Sequence, residues 1–161
     1  MQTSDLHRSL PVLFGELIHG VPGTGGFVLN PGDAGLLASL DRLSAADASA
    51  SSSGGATIAG HVAHVRYGIS LFNRWAGGEN PFRDADWSQA WQTTRVSDGE
   101  WTALRQGLRE EAERWLAALG TSREISGIEL DGVLASIIHL AYHIGAIRQI
   151  AAAARGPKAN D

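Results

Sequence analysis

The sequence predicts an all-α protein, a bundle of four main helices with one or two short extra helices. Apolar residues recur every three or four positions in four long segments, which is the period of an amphipathic helix. Gly, Pro and capping residues separate these segments. No segment shows the period-two alternation of apolar and polar residues that is typical of strands. At 161 residues the chain is predicted to form a single domain over residues 1–161.

The first helix is predicted from Leu6 to Ile18. Its apolar stripe comprises Leu6, Leu10, Leu13, Phe14, Leu17 and Ile18. Pro11 marks either the first turn of this helix or a kink in it. The glycine-rich segment 20–26 then breaks the chain. Because no strand pattern precedes these glycines and no Gly-Lys-Ser/Thr follows them, we interpret the segment as a loop rather than a phosphate-binding site.

A short helix follows a turn at residues 30–33, with Asp33 as its predicted N-cap. Its apolar residues are Leu36, Leu37, Leu40 and Leu43. The segment Ala48–Gly55 is rich in Ser, Ala and Gly, and it is predicted to be a flexible surface connection. Thr57 is the predicted N-cap of the second long helix, which runs to about Ala76.

The third and fourth long helices follow a polar crossover at residues 80–95. Ser97 and Glu100 form a capping box, so a helix is predicted from Trp101 to Leu119. Asp131 is the predicted cap of the last helix, which is expected to extend to about Arg155.

Composition excludes several classes of function. The chain has no cysteine, so disulfides, thiolate metal ligands and cysteine nucleophiles are excluded, and any metal must bind nitrogen or oxygen. A formal net charge of −4 without a basic block argues against a nucleic-acid partner. The N-terminus has no signal-peptide pattern, and the chain has no run of about 18 apolar residues. We therefore expect a cytoplasmic protein with no membrane segment.

Four histidines form the most informative pattern. His139 and His143 are four residues apart in the last helix, so both imidazoles lie on one helix face and one metal ion could span them. His61 and His64 offer a third imidazole from the second long helix. Histidines in amphipathic helices are also common as satisfied core residues, which is the alternative interpretation. Three neutral histidines on one divalent ion would leave open positions for water or substrate, as in catalytic sites.

Two familiar metal motifs are absent or incomplete. Leu140 follows His139 where a His-Glu-x-x-His metalloprotease carries its glutamate, so that mechanism lacks its base. A ferritin-like di-iron centre needs two Glu-x-x-His pairs, and the chain has only Glu16 with His19. These two residues are weak candidates for the pocket.

The span Thr57–His64, together with His139-x-x-x-His143-x-Gly-x-x-Arg-Gln149, resembles the DinB-like (YfiT-like) superfamily of metalloenzymes over most of the chain. The resemblance implies an up-down-down-up four-helix bundle. It also implies one divalent ion, nickel, zinc or iron, held by one histidine of the second long helix and two of the last.

Carried onto this chain, the resemblance makes His139 and His143 two of the ligands. The family commonly has a small hydroxyl residue seven positions before the first ligand and an apolar residue directly after it. Thr57 and Val65 meet this pattern for His64. Periodicity alone places His61 nearer the centre of the apolar stripe, so His61 is the alternative first ligand. The member that does not bind metal would orient a water or form a supporting hydrogen bond.

The resemblance also bears on function. Similar proteins include transferases and isomerases that use a low-molecular-weight thiol such as bacillithiol or mycothiol, and hydrolysis is the other reaction that such a metal supports. The alternative is a non-enzymatic bundle that binds a small ligand or a partner, with the histidines in its core. Since bundles of the family commonly pair, a homodimer is expected.

Several neighbouring residues have two interpretations. Tyr142 either lines the pocket or packs between helices. Arg148 binds an anionic substrate, interacts favourably with the helix dipole or forms a salt bridge in a dimer. Three tryptophans either pack the crossover or wall a substrate cavity: Trp75, Trp87 and Trp91.

Overall fold

The computed structural model describes residues 3–21, 23–51 and 54–158, and this part of the chain contains six α-helices and no β-strand. The helices are α1 (Thr3–His19), α2 (Gly35–Asp41), α3 (Ala45–Ser49), α4 (Ile58–Ala76), α5 (Asp98–Leu119) and α6 (Gly127–Ile150). Short 3-10 turns occur at Pro81–Asp84, Gln89–Gln92 and Ala152–Ala154. The predicted all-α class is confirmed.

The four long helices α1, α4, α5 and α6 surround one hydrophobic core. α4 packs against both α5 and α6, and α1 packs against the same two helices. Burial of apolar side chains is the main favourable contribution to this packing. The largest fully buried side chains include Phe14, Ile58, Leu108, Trp115 and Leu140. α4 thus lies at the centre of the contacts that position the histidine pairs.

Side-chain caps fix where the long helices begin. The Thr57 hydroxyl accepts the Gly60 N–H, and Ser97 and Glu100 form a reciprocal capping box, so both predicted caps are confirmed. Asp131 is not the cap of the last helix, contrary to the prediction. Ser126 and Glu129 instead form a capping box, and α6 begins at Gly127. These caps satisfy N–H groups that have no partner within the helix.

Other boundaries also differ from the prediction. α5 begins at Asp98, directly after its cap Ser97. α6 ends at Ile150 rather than Arg155, because Ala151 has extended backbone angles. Ala48 is fully buried and belongs to α3, so the predicted surface connection starts too early. Ser52 and Ser53 of that connection lie outside the described residues.

Glu16 holds the glycine-rich loop against α1. Its carboxylate accepts backbone N–H groups from Phe27, Val28 and Leu29 at 2.9, 2.7 and 2.6 Å. Burial raises the pKa of Glu16, but these three hydrogen bonds lower it, and the net pKa lies below the usual value. Glu16 is therefore a structural residue of the loop.

α6 is the most apolar of the four long helices. It has 24 residues, and an 18-residue window of it has a mean hydropathy of 1.5, so by length and composition alone it could cross a membrane. Inserted polar residues such as Asp131 and His139 explain why the sequence shows no uninterrupted apolar run. One such helix is weak evidence for a membrane protein, because core helices of soluble bundles have the same composition, and α6 packs against α1 and α4.

Asp33 and Arg148 form a buried ion pair that ties α6 to the start of α2. Ala34 occupies the N-cap position predicted for Asp33 and makes no side-chain cap. One Asp33 oxygen accepts the Gly35 N–H at 2.9 Å and an Arg148 N–H at 2.8 Å. Asp33 is 4% exposed. Arg148 therefore has an intramolecular partner, and neither a substrate nor a second protomer is needed to explain it.

We predict that Arg148→Met lowers the free energy of unfolding by about 3 kcal/mol, because it leaves a buried carboxylate without its cation. Urea denaturation at pH 7 measures the change. Arg114→Met is the matched control, since Arg114 pairs with Glu111 at the surface and its loss should cost no more than about 0.5 kcal/mol. Equal, small effects of the two substitutions would contradict the role of the Asp33–Arg148 pair.

Candidate metal centre

Two histidine pairs face each other across the contact between α4 and α6. His61 and His64 are three residues apart on α4, and His139 and His143 are four residues apart on α6, so each pair shares one helix face. His61, His64 and His143 are buried, with 8%, 7% and 1% of their surface exposed, and His139 is half-buried. The packing of α4 on α6 therefore collects four imidazoles in one place.

Three Nε2 atoms converge at the centre of this cluster. His139 Nε2 lies 3.1 Å from His64 Nε2 and 2.9 Å from His143 Nε2. One nitrogen from each ring lies within 4.8 Å of the others. Imidazole nitrogens bound about 2.0–2.1 Å from one ion are separated by roughly 2.9–3.4 Å, depending on the angle at the metal. The observed spacings fall in this range, so the three residues could hold a metal ion.

Hydrogen bonds alone do not satisfy these three nitrogens. A nitrogen of a neutral imidazole either donates or accepts, but does not do both. The two close contacts of His139 Nε2 must therefore share one proton or one lone pair. A cation removes this conflict, because three lone pairs can then point at the same centre. Imidazole donors suit zinc, nickel and iron.

His61 takes a different position from the other three histidines. Its Nδ1 atom lies 2.8 Å from Nδ1 of His143, on the side of that ring opposite to Nε2. His61 therefore contacts the outer nitrogen of His143. Of the two α4 histidines, His64 is the one whose nitrogen joins the group of three.

Burial keeps the histidines neutral. Burial is the larger cause and the charge of neighbouring histidines the smaller one, and together they lower the pKa of His143 to about 3 and that of His64 to about 4. Burial also lowers the pKa values of His61 and His139. Neutral imidazoles with free lone pairs are the form that binds metal, so all four rings are in that form at pH 7.

Tryptophans of the crossover cover the cluster. The ring of Trp91 stacks on His64 with centroids 4.4 Å apart and meets His61 edge-on at 5.2 Å. Trp87 lies 5.6 Å from His64. Both tryptophans are partly exposed, so they form the boundary between the cluster and solvent. Trp75 instead packs against Phe72 and Phe82, away from the histidines.

Two glycines of α4 let the crossover approach the helix this closely. A Cβ atom on Gly60 would lie 3.2 Å from the Thr93 carbonyl oxygen, and one on Gly68 would lie 3.4 Å from the Trp87 ring. Glycine inside a helix costs roughly 0.5–1 kcal/mol relative to alanine, so its presence indicates a close neighbour. The sequence carried this signal, but it does not identify the tryptophans as that neighbour.

The remaining candidates lie at the edge of the site or outside it. The rings of Tyr142 and His143 are nearly perpendicular, with centroids 5.0 Å apart, but 68% of the Tyr142 surface is exposed. Glu16 binds the glycine-rich loop, and His19 pairs with Glu113 at 3.3 Å. Neither Glu16 nor His19 belongs to the histidine cluster.

An all-α fold with three histidines shared by two helices defines a helical-bundle protein with a candidate metal centre. The sequence profile of the DinB superfamily matches residues 33–126, more than half of the chain. The chain therefore belongs to the DinB superfamily, and the resemblance is confirmed. The match includes His61 and His64 and ends just before α6, so His139 and His143 lie beyond it. No curated protein and no solved structure matches the chain.

We predict that the metal-free protein loses stability as the pH falls from about 6.5 to 5. Unfolded histidines bind protons near pH 6.5, whereas folded His64 and His143 stay neutral until about pH 4 and about pH 3. The unfolded state then binds more protons, which costs up to about 1.4 kcal/mol per pH unit for each histidine.

Urea denaturation at pH 7, 6 and 5 measures this slope. The carboxyl groups with lowered pKa values, such as Glu16, titrate below pH 5. The slope of the unfolding free energy between pH 7 and pH 5 therefore reflects the protonation of histidines. A His64→Gln, His143→Gln variant should show a flatter dependence than the unchanged protein. Equal slopes in the two proteins would contradict the neutral, buried state of these rings.

Proposed function

We propose that the protein binds one divalent transition metal ion on His64, His139 and His143, and uses it in a reaction on a small molecule. The observation that supports this is the convergence of the three Nε2 atoms at 2.9 and 3.1 Å. Nickel, zinc and iron all suit three imidazole donors. The family match adds support, because it covers the helix that carries His64.

The charge of the surroundings favours an anionic ligand at the open position. The charged neighbours that shift the pKa values of His64 and His143 are other histidines, which lower these values, and no carboxylate of the described chain raises them. Three neutral imidazoles would leave both positive charges of the ion uncompensated. When bound, the metal would supply Lewis acidity and lower the pKa of a coordinated thiol or water. A thiol that ionises on binding fits this charge.

The protein side chains would bind and orient the reactants. His139 is the least buried of the three proposed ligands, so the cluster opens to solvent beside it. Trp87 and Trp91 border the cluster and would limit the entry of water. This arrangement supports a small substrate. We propose either a thiol-dependent transferase or isomerase, or a metal-dependent hydrolase.

Exposed apolar residues on α6 favour a second function, that of an interaction bundle. Ile128, Ile138 and Tyr142 are 77%, 68% and 68% exposed on this helix. Exposed apolar patches often mark binding surfaces. In that case the histidines would serve as core residues and bind no metal. The homodimer and the cytoplasmic location stay predictions.

Metal analysis separates the two functions. Protein purified without a chelator or an affinity tag should contain, or bind on titration, about one equivalent of a transition metal. His64→Ala, His139→Ala and His143→Ala should each weaken binding by more than about 100-fold, because each removes one ligand.

His19→Ala is the matched control, since His19 is exposed and lies outside the cluster. Thermal unfolding of each variant shows whether it is folded. Less than roughly a tenth of an equivalent in the unchanged protein, with no binding on titration, would contradict a one-metal site and favour the interaction bundle.

Cobalt substitution tests the thiol-dependent class. Addition of β-mercaptoethanol to the cobalt(II)-loaded protein should produce a sulfur-to-cobalt charge-transfer band, because the uncompensated charge favours the thiolate form. The His64→Ala protein treated with the same cobalt should show no such band. A spectrum that the thiol leaves unchanged would exclude thiol coordination and leave the hydrolase.

A further inference from the structure

We propose that His61 is a positioning residue that holds His143 in the tautomer and orientation required for metal binding. This inference rests on the proposed function. It starts from the contact of 2.8 Å between Nδ1 of His61 and Nδ1 of His143. Both rings are buried, with 8% and 1% of their surface exposed, so water does not readily replace this partner.

The direction of the hydrogen bond follows from where the lone pairs must be. If Nε2 of His143 offers its lone pair to a metal, the single proton of the neutral ring is on Nδ1. Nδ1 of His143 then donates to Nδ1 of His61, which accepts. His61 consequently carries its own proton on Nε2. One hydrogen bond thus fixes the tautomers of both rings.

The helix geometry assigns this role to His61 and not to His64. His61 meets His143 and His64 meets His139, so each histidine of α4 faces a different histidine of α6. His64 contacts Nε2 of His139, and both residues belong to the group of three histidines that could hold a metal ion. His61 reaches its partner at the outer nitrogen, Nδ1 of His143.

Trp91 fixes the ring of His61 in turn. It meets that ring edge-on at 5.2 Å, and it lies in the crossover turn that packs on α4. The same tryptophan stacks on His64, whose Nδ1 is buried and has no hydrogen-bond partner in the described chain. His64 is thus held by stacking, whereas His143 is held by a hydrogen bond.

The acceptor, the imidazole of His61, is unusual in its chemical type. Metal-bound histidines commonly donate their second N–H to a carboxylate or a backbone carbonyl. Here the acceptor is a neutral imidazole, which adds no negative charge to the site. His61 therefore orients His143 and leaves the charge of the proposed ion uncompensated.

Nuclear magnetic resonance tests the hydrogen bond without metal. In the isotope-labelled metal-free protein, a scalar coupling between the two Nδ1 atoms should appear across the N–H···N bond. The Nδ1 proton of His143 should also exchange slowly. In the His61→Leu protein both signals should be absent, although the protein stays folded.

Metal affinity, measured by competition with a chelator, tests the positioning role. His61→Leu should weaken binding about 10–100-fold, the usual effect of losing such a partner. His61→Asn should recover part of the loss, because its Oδ1 atom can accept from His143. His19→Leu is the matched control and should bind like the unchanged protein.

The outcomes separate this inference from the metal site itself. If the unchanged protein binds no metal, the proposed function fails, and the role of His61 fails with it. If the unchanged protein binds metal but His61→Leu binds equally well, the positioning role alone is overturned. A spectrum of the metal-loaded protein that shows His61 as a ligand would likewise overturn it.

Discussion

The packing of α4 on α6 is the contact on which the candidate site depends. These two helices carry all four histidines of the cluster, and each helix alone brings together only two. Burial of the four rings between them lowers their pKa values and reduces their hydration. The convergence of three Nε2 atoms is therefore a property of the helix pair and not of either sequence motif.

The other helices and the crossover support this contact from outside. Buried side chains of α1 and α5 fill the opposite side of the bundle, so the histidine faces of α4 and α6 are held together by the common core. The pair of Asp33 and Arg148 fixes the C-terminal part of α6. On the solvent side, Trp91 stacks on His64. Gly60 leaves room for that crossover to lie directly on α4.

Helical period and capping motifs predict much of the fold, because both act within a few residues. They place α4 and both histidine pairs correctly. The start of α6 was mispredicted because its apolar stripe begins at Val133, well after its true cap, Ser126. Contacts between distant residues were not predictable in this way. Arg148 is 115 positions from Asp33, and the bond from His61 to His143 depends on the relative rotation of two helices. The choice of His64 over His61 came from the family pattern, since periodicity favours His61.

Crystallography of protein purified without a chelator, with diffraction data collected at the absorption edge of the bound metal, tests the central claim most directly. We expect one anomalous peak between Nε2 of His64, His139 and His143, about 2.0–2.1 Å from each nitrogen. His61 should lie outside this group and contact Nδ1 of His143. A peak that is bound by His61 in place of His64, or the absence of a peak after the crystals are soaked in nickel, zinc or iron, would contradict it.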